Sequence, residues 1–169
     1  KIQGRRFLLC AGAGPDAAVV HRVHAHRGNR MGLAAYFLPT LPTLLRYPYP
    51  RFQVTMDDGS VIEHVEYAVA ANCRFSAGVF PVASEARIDD GLLDVVLFRD
   101  LSLVRMAYYA AMSYWKSMAK QKGVLYCKAR KVRFDAPKET VHFQVDGDPA
   151  GFLPVVLEIE SSGVEIIAS

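Results

Sequence analysis

The second half of the chain breaks into short apolar segments separated by turn residues, and this pattern limits the fold most strongly. The segments lie at 124–127, 131–134, 141–145, 155–160 and 164–167, and glycine, proline or serine lies in each gap after 134. Short strands that recur at this spacing are typical of a sandwich or a barrel. We therefore predict a mainly β protein, an antiparallel β-sandwich that carries two or three helices.

The first half adds further strands and the helices. Alternating apolar and polar residues flank Asp58-Gly59, which is the strongest short signal for a β-hairpin. Strands are predicted at 5–11, 52–56, 61–65, 67–72 and 93–98. Helices are predicted at 17–26, at 32–45 with breaks at Pro39 and Pro42, and from the N-cap Ser102 to about 115–118.

Length, charge and cysteine content bound the class of protein. The 169 residues fit one domain, 1–169, and 51% hydrophobic residues suffice for a sizeable core. A net charge of +3 is too small to indicate nucleic acid as a partner. The sequence contains no bilayer-spanning apolar run and no visible signal peptide, and its separate cysteines indicate reduced thiols in the cytoplasm. Because the first residue is Lys1, we expect a piece of a longer protein.

An acidic turn precedes one of the predicted strands. The adjacent carboxylates of Asp89 and Asp90 stand before Gly91 and an apolar run. Carboxylate and carbonyl oxygens in such a turn suit a hard cation such as Mg²⁺. An ordinary β-turn is the competing interpretation, because aspartate and glycine favour turns for local backbone reasons.

A second acidic segment ends the predicted strand 141–145. Asp146 and Asp148 are two residues apart with Gly147 between them, and on an extended backbone they would share a face. A carboxylate in this setting can hold a metal-linked water or accept a proton from a hydroxyl group. Another Asp-Gly turn is again the alternative.

Two patterns near the N-terminus are weaker signals of binding. Gly12 and Gly14 lack the third glycine of a dinucleotide-binding loop, so a strand-to-helix turn is favoured. His21, His24 and His26 cannot all share one helix face, so a solvated polar face is favoured over a zinc site.

Taken in order, these segments resemble the C-terminal domain of bacterial diacylglycerol kinases and sphingosine kinase-like lipid kinases, within the NAD kinase-like superfamily. The matching segments are Gly12-Ala13-Gly14-Pro15-Asp16-Ala17, Ala70-Ala71-Asn72 with the loop to Gly78, Phe80-Pro81-Val82-Ala83, Asp89-Asp90-Gly91-Leu92-Leu93-Asp94 and Val145-Asp146-Gly147-Asp148-Pro149. Each is weak alone, but the ordered set is fairly specific.

The resemblance implies one half of a two-domain enzyme that uses ATP and Mg²⁺ to phosphorylate a lipid hydroxyl. The nucleotide would be bound by an N-terminal domain with a Gly-Gly-Asp-Gly-Thr motif, which this sequence lacks. The chain alone is therefore expected to be inactive, because nothing in it would position ATP. By position, Asp146 corresponds to the base that activates the lipid hydroxyl, and Asp148 stands where the family usually has glutamate.

The resemblance also assigns a metal site and a cleft. Asp89, Asp90 and the carbonyl of Leu92 correspond to the family's accessory Mg²⁺ site. Asn72 and the loop to Gly78 correspond to a segment that lines the interdomain cleft. Without the N-terminal domain, an apolar patch beside this cleft is expected, which makes a homodimer plausible.

Two alternatives remain open from the sequence, namely a non-catalytic β-sandwich that binds lipid or protein and an NAD kinase-like domain. A local basic cluster is either a solvated face or a contact with an anionic, peripheral membrane surface. It consists of Lys116, Lys120, Lys122, Lys128, Arg130, Lys131 and Arg133. The preceding Tyr108, Tyr109, Tyr114 and Trp115 could lie at that interface or pack in the core.

Overall fold

A computed structural model describes residues 1–2, 6–26, 33–75, 80–115 and 118–160, with the backbone only for 26 and 33–38. Three α-helices are described: α1 (Pro15–His26), α2 (Leu33–Arg46) and α3 (Leu103–Met112). The strands are β1 (Cys10–Ala13), β2 (Phe52–Met56), β3 (Val61–Val65), β4 (Tyr67–Ala71), β5 (Leu93–Phe98), β6 (Val124–Ala129), β7 (Lys131–Asp135), β8 (His142–Val145), β9 (Asp148–Phe152) and β10 (Val155–Glu158).

The strands form two antiparallel sheets. One is six-stranded with the order β6-β5-β4-β1-β8-β9, and the other is four-stranded with the order β10-β7-β2-β3. Strands that are neighbours in the chain often pair directly, as β4 pairs with β5 and β5 with β6. The predicted fold, a mainly β antiparallel sandwich with two or three helices, is confirmed.

The main core lies between the sheets and follows the two-residue period of the strands. In β5, Val95 and Leu97 face the other sheet, whereas Val96 and Phe98 face outward. Phe134 of β7 and Phe143 of β8 are fully buried in the main core. Every residue of β5 is buried because its outward side chains are covered as well.

Helices cover the outer face of the six-stranded sheet. α1 lies over β1, β8 and β9, and α2 lies against α1. α3 lies over β5 on the same outer face. Its buried Tyr109 ring contacts Phe98 of β5, with 5.3 Å between the ring centroids. The Ser102 hydroxyl accepts a hydrogen bond from the Arg105 backbone N–H, which confirms the predicted N-cap.

Three predictions about local structure are corrected. The first strand is not 5–11 but Cys10–Ala13, because Gly12 and Ala13 pair with both β4 and β8 despite their weak strand propensity. The helix α2 is continuous through both prolines, and the Thr43 hydroxyl donates to the Pro39 carbonyl at 2.6 Å. The strand β9 was not predicted, and the predicted strand 164–167 lies outside the described residues.

Candidate functional site

One end of the six-stranded sheet gathers most of the predicted site residues. Antiparallel pairing places the ends of β4, β6 and β8 beside the starts of β1, β5 and β9, as the pairs Cys10↔Ala71 and Leu93↔Ala129 show. Asn72 follows β4, and Asp146 follows β8, two strands away in the sheet. The acidic turn of Asp89 and Asp90 precedes β5 at the same end.

The segment that enters β1 lies between Asn72 and Asp146 and is bound to both. Asp146 Oδ1 accepts hydrogen bonds from the backbone N–H groups of Leu9 and Cys10, and its Oδ2 accepts one from Leu8. The side-chain amide of Asn72 donates to the Leu8 carbonyl at 3.2 Å, and its backbone N–H donates to Leu9. The Asp146 carboxylate therefore has a fixed position, with three of roughly four acceptor sites in use.

Asp146 and Asp148 do not share a face, which corrects the prediction from their spacing. Asp146 and Gly147 have φ values of 51° and 85° and form a tight turn between β8 and β9. Positive φ at both central residues is the geometry in which Asp-Gly is favoured. Asp148 lies instead on the α1 side, with its Oδ1 3.6 Å from His24 Nε2.

Each carboxylate of the acidic turn forms an ion pair with a basic side chain of the domain. Arg87 Nε lies 3.2 Å from Asp89 Oδ1, and Lys128 Nζ lies 2.7 Å from Asp90 Oδ2. The hydrogen bond from Arg87 keeps the pKa of Asp89 below its usual value, and that from Lys128 does the same for Asp90. The backbone N–H of Leu92 donates to Asp90 Oδ1 at 3.0 Å, which closes the turn.

A buried carboxylate lies behind this turn. Asp94 is fully buried in β5, and its Oδ1 accepts a 2.7 Å hydrogen bond from the Tyr126 hydroxyl. Its Oδ2 has no hydrogen-bond partner but lies 3.5 Å from Lys128 Nζ. Burial raises the pKa of Asp94, while that of Asp90 is lowered. The Lys128 ammonium thus lies between two carboxylates, of which Asp90 ionises more readily than Asp94.

The predicted accessory Mg²⁺ site does not fit these residues as they are arranged. Asp89 and Asp90 each have a basic partner, and Lys128 occupies the space between Asp90 and Asp94. Among the described residues, no group of three or more His, Cys, Asp or Glu side chains could hold a metal ion. We therefore assign no chemical step to a metal at this turn.

A groove of about 410 Å³ connects the acidic turn with the segment that enters β1. Its lining includes Leu8, Asn72, Ile88, Asp89 and Asp90. Leu8 and Ile88 are about half exposed, at 47% and 52%. The lining also includes Lys1 and Arg6, so the groove has apolar side chains beside a rim with charges of both signs. Such a surface suits an amphipathic ligand or a second protein surface.

The place of one predicted site residue stays a prediction, and the sequence does not assign two further residues to the site. Gly78 lies outside the described residues, so its predicted place in the cleft stays a prediction. From the sequence, Lys128 belongs only to a basic cluster and Asp94 only to a matching segment. Their pairing follows from the register Asp94↔Lys128 between β5 and β6, which sequence spacing does not reveal.

Fold and site together define a β-sandwich domain of the kind found in NAD kinase-like proteins. The chain belongs to the family of YegS C-terminal NAD kinase beta sandwich-like domains, whose sequence profile matches residues 10–168. The predicted resemblance is confirmed at this level. A search of curated proteins returned no significant match.

Solved structures with the same fold come from Bacillus anthracis. A protein provisionally named a diacylglycerol kinase has a TM-score of 0.68 and 18% identity, over 95% of this chain and 52% of that one. A second structure under that name has a TM-score of 0.66 and 19% identity, with the same coverage. A structure named as a diacylglycerol kinase has a TM-score of 0.60 and 14% identity, over 95% and 49%. The chain thus spans about half the length of these proteins.

Proposed function

We propose that this chain is the substrate-side domain of an ATP- and Mg²⁺-dependent lipid kinase, which transfers the γ-phosphoryl group to the hydroxyl of a diacylglycerol-like lipid. The observation that carries the proposal is the groove at one end of the six-stranded sheet, with Asn72 and the acidic turn in its lining. Asp146 belongs to the same end through its bonds to Leu8, which also lines the groove.

In this proposal Asp146 receives the proton of the lipid hydroxyl. Its backbone donors fix the carboxylate position and leave about one acceptor site for a substrate. A positioned general base contributes about 10²–10⁴ to a rate. Asp148 is not assigned to proton transfer, because its Oδ1 lies on the α1 side, 3.6 Å from His24 Nε2.

The nucleotide belongs to the other half of the enzyme. We propose that an N-terminal domain binds ATP with its Mg²⁺ and closes on the groove, since the solved neighbours are about twice as long as this chain. Leu8, Leu9, Phe75 and Ile88 are each about half exposed at this end of the sheet. A neighbouring domain would cover such apolar side chains, which is the usual purpose of an exposed apolar patch.

The test needs a chain that includes the preceding domain. Full-length protein with ATP, Mg²⁺ and diacylglycerol in detergent micelles should form phosphatidic acid, and Asp146→Asn should lower kcat by about 10²–10⁴. Asp58→Asn is the matched control, because Asp58 also precedes a glycine in a hairpin turn but belongs to the other sheet. Full activity in Asp146→Asn, with the same fold as the wild type, would refute the assigned role.

A binding-only domain is the second candidate, because the bonds of Asp146 to β1 give it a structural purpose without catalysis. This alternative predicts that full-length protein binds lipid but releases no ADP under the same conditions. Offering NAD in place of lipid tests the NAD kinase alternative in the same assay.

A further inference from the structure

The outward face of α3 is apolar, which is unusual for a helix that faces solvent. Val104 and Tyr108 are 79% and 48% exposed, and they lie one helical turn apart on the same face. Tyr114 and Trp115 follow directly after the helix and are 56% and 75% exposed. The opposite side of α3 is already packed, since Tyr109 is buried against Phe98.

Basic residues adjoin this aromatic face. The Tyr108 hydroxyl donates to Gln121 Oε1 at 3.1 Å, and the Tyr109 hydroxyl donates to the Lys122 carbonyl at 2.8 Å. These bonds hold the segment that carries Lys120 and Lys122 against α3. Both lysines are exposed, and among the described residues neither lies within ion-pair distance of a carboxylate.

The charged residues in the sequence around α3 are all basic. Between Asp100 and Asp135 the chain contains no aspartate or glutamate. The same stretch carries Arg105, Lys116, Lys120, Lys122, Lys128, Arg130, Lys131 and Arg133. Arg105, Lys128, Lys131 and Arg133 have carboxylate partners within the domain. Among the described residues Lys120 and Lys122 have none, so both are available to a partner of this face.

We propose that the face formed by Val104, Tyr108, Tyr114 and Trp115, with Lys120 and Lys122 at its side, docks on an anionic bilayer surface. Tyrosine and tryptophan are enriched where hydrocarbon meets lipid headgroups, because their rings are apolar and their polar atoms remain hydrated. Basic side chains next to an apolar helix face add attraction to anionic lipids. The proposal rests on the proposed function in one respect, namely that the substrate is a lipid.

The surface is separate from the groove, so docking would leave the groove open to lipid. Asn72 and Asp90 line the groove at one end of the sheet, whereas α3 packs on the outer face of that sheet. Among the described residues, no helix is both long and apolar enough to cross a membrane. α3 itself has 10 residues, too few to span a bilayer, so attachment through it would be peripheral. Its basic neighbours would make that attachment sensitive to salt.

Trp115 is the only tryptophan of the chain and reports directly on this face. The wild-type chain should co-sediment with vesicles of phosphatidylcholine containing about one third phosphatidylglycerol, and much less with phosphatidylcholine alone. Emission of Trp115 should shift to shorter wavelength and should be quenched by brominated acyl chains. Lys120→Ala with Lys122→Ala should weaken binding by on the order of tenfold or more, and high salt should do the same.

Matched variants distinguish vesicle binding through this face from non-specific adsorption of exposed apolar or basic residues. Val104→Ser with Tyr108→Ser should abolish the emission shift, whereas Val61→Ser, an exposed valine of β3, and Lys138→Ala should bind as the wild type does. Far-UV circular dichroism and urea unfolding check that each variant is folded. If Tyr108→Ser unfolds the chain, Val104→Ser alone gives the same comparison.

Three results would overturn the proposal. One is an absence of binding to anionic vesicles at low salt, and another is binding that the α3 variants leave unchanged. The third is self-association through this face, seen as a dimer that Val104→Ser disrupts, together with no binding of the wild-type chain to vesicles. Because the vesicles contain no diacylglycerol and no ATP, failure here is independent of the kinase assay in micelles, and failure of that assay leaves the docking result intact.

Discussion

The side-chain amide of Gln144 donates to Asp16 Oδ2 at 3.2 Å, which joins two motifs that are 128 residues apart in the chain. The other end of the amide, Oε1, accepts from the backbone N–H of Gly147 at 2.9 Å. Because that N–H can only donate, the orientation of the amide is determined. The start of α1 is therefore connected through Gln144 to the turn that carries Asp146.

The ionisation of Asp16 should make stability depend on pH in a defined direction. Burial raises the pKa of Asp16 from 3.8 to about 6. A carboxyl group whose pKa is higher in the folded state stabilises the fold below pH 3.8, and this contribution is lost as pH rises to about 6. The free energy of unfolding, measured in urea, should favour wild type over Asp16→Asn most strongly near pH 4. That advantage should shrink by up to roughly 3 kcal/mol at pH 7.

Asp58→Asn is the control for this measurement, because the hydrogen bond from Ser60 lowers the pKa of Asp58. Its contribution has the opposite sign, being present at neutral pH and lost on acidification. A difference between wild type and Asp16→Asn that is independent of pH would contradict the link between burial and ionisation at Asp16.

Gly12 should be required because of the same hydrogen bond. A Cβ atom at position 12 would lie 2.5 Å from Asp16 Oδ2 and 2.9 Å from Gln144 Nε2. Gly12→Ala should therefore lower the free energy of unfolding by about 1–3 kcal/mol, as overpacking of a buried site usually does. Thermal unfolding gives the measurement. In a Gln144→Ala background the loss should be smaller, and an equal loss would mean that the backbone alone requires glycine.

Local signals correctly predicted the Asp58-Gly59 hairpin and the Ser102 cap, whereas contacts with distant segments determined the first strand and α2. Asp58-Gly59 and Ser102 act through their own neighbouring backbone, so short sequence windows are sufficient. The strand Cys10–Ala13 is formed from small residues and exists because β4 and β8 pair with both of its edges. Pro39 and Pro42 indicated a broken helix, yet α2 continues because it packs on α1.

The candidate site likewise combines residues that the sequence indicates with contacts that only the fold reveals. The resemblance named Asn72, Asp90 and Asp146, and the antiparallel order of the sheet brings their segments to one end. Lys128 could not be assigned to Asp90 from the sequence, because 38 residues separate them and strand register sets the pairing. The outward face of α3 was ambiguous for a related reason, since helical spacing alone does not say which side faces the core.

Asp146 should stabilise the fold more than its counterpart in the other hairpin. Asp146→Asn would place an amide NH₂ or a weaker acceptor opposite the N–H groups of Leu8, Leu9 and Cys10. We expect the free energy of unfolding to fall by about 1–2 kcal/mol, since bonds to charged acceptors are stronger than neutral ones. Asp58→Asn weakens only the local bond that Asp58 accepts from the Ser60 backbone N–H, and it should have a much smaller effect in the same urea titration. Equal losses would mean that the bonds to β1 contribute nothing.

Lys128→Met should convert the acidic turn into a site that responds to Mg²⁺. Without the ammonium, Asp90 loses its 2.7 Å partner and the buried Asp94 Oδ2 loses the cation that lies 3.5 Å away, so the melting temperature should fall. Carboxylate oxygens left in this way suit a hard divalent cation, so millimolar Mg²⁺ should recover part of the loss. Wild type and the control Lys128→Arg, which retain a positive charge, should show no Mg²⁺-dependent shift. A wild-type shift as large as that of Lys128→Met would show that the lysine does not exclude the metal.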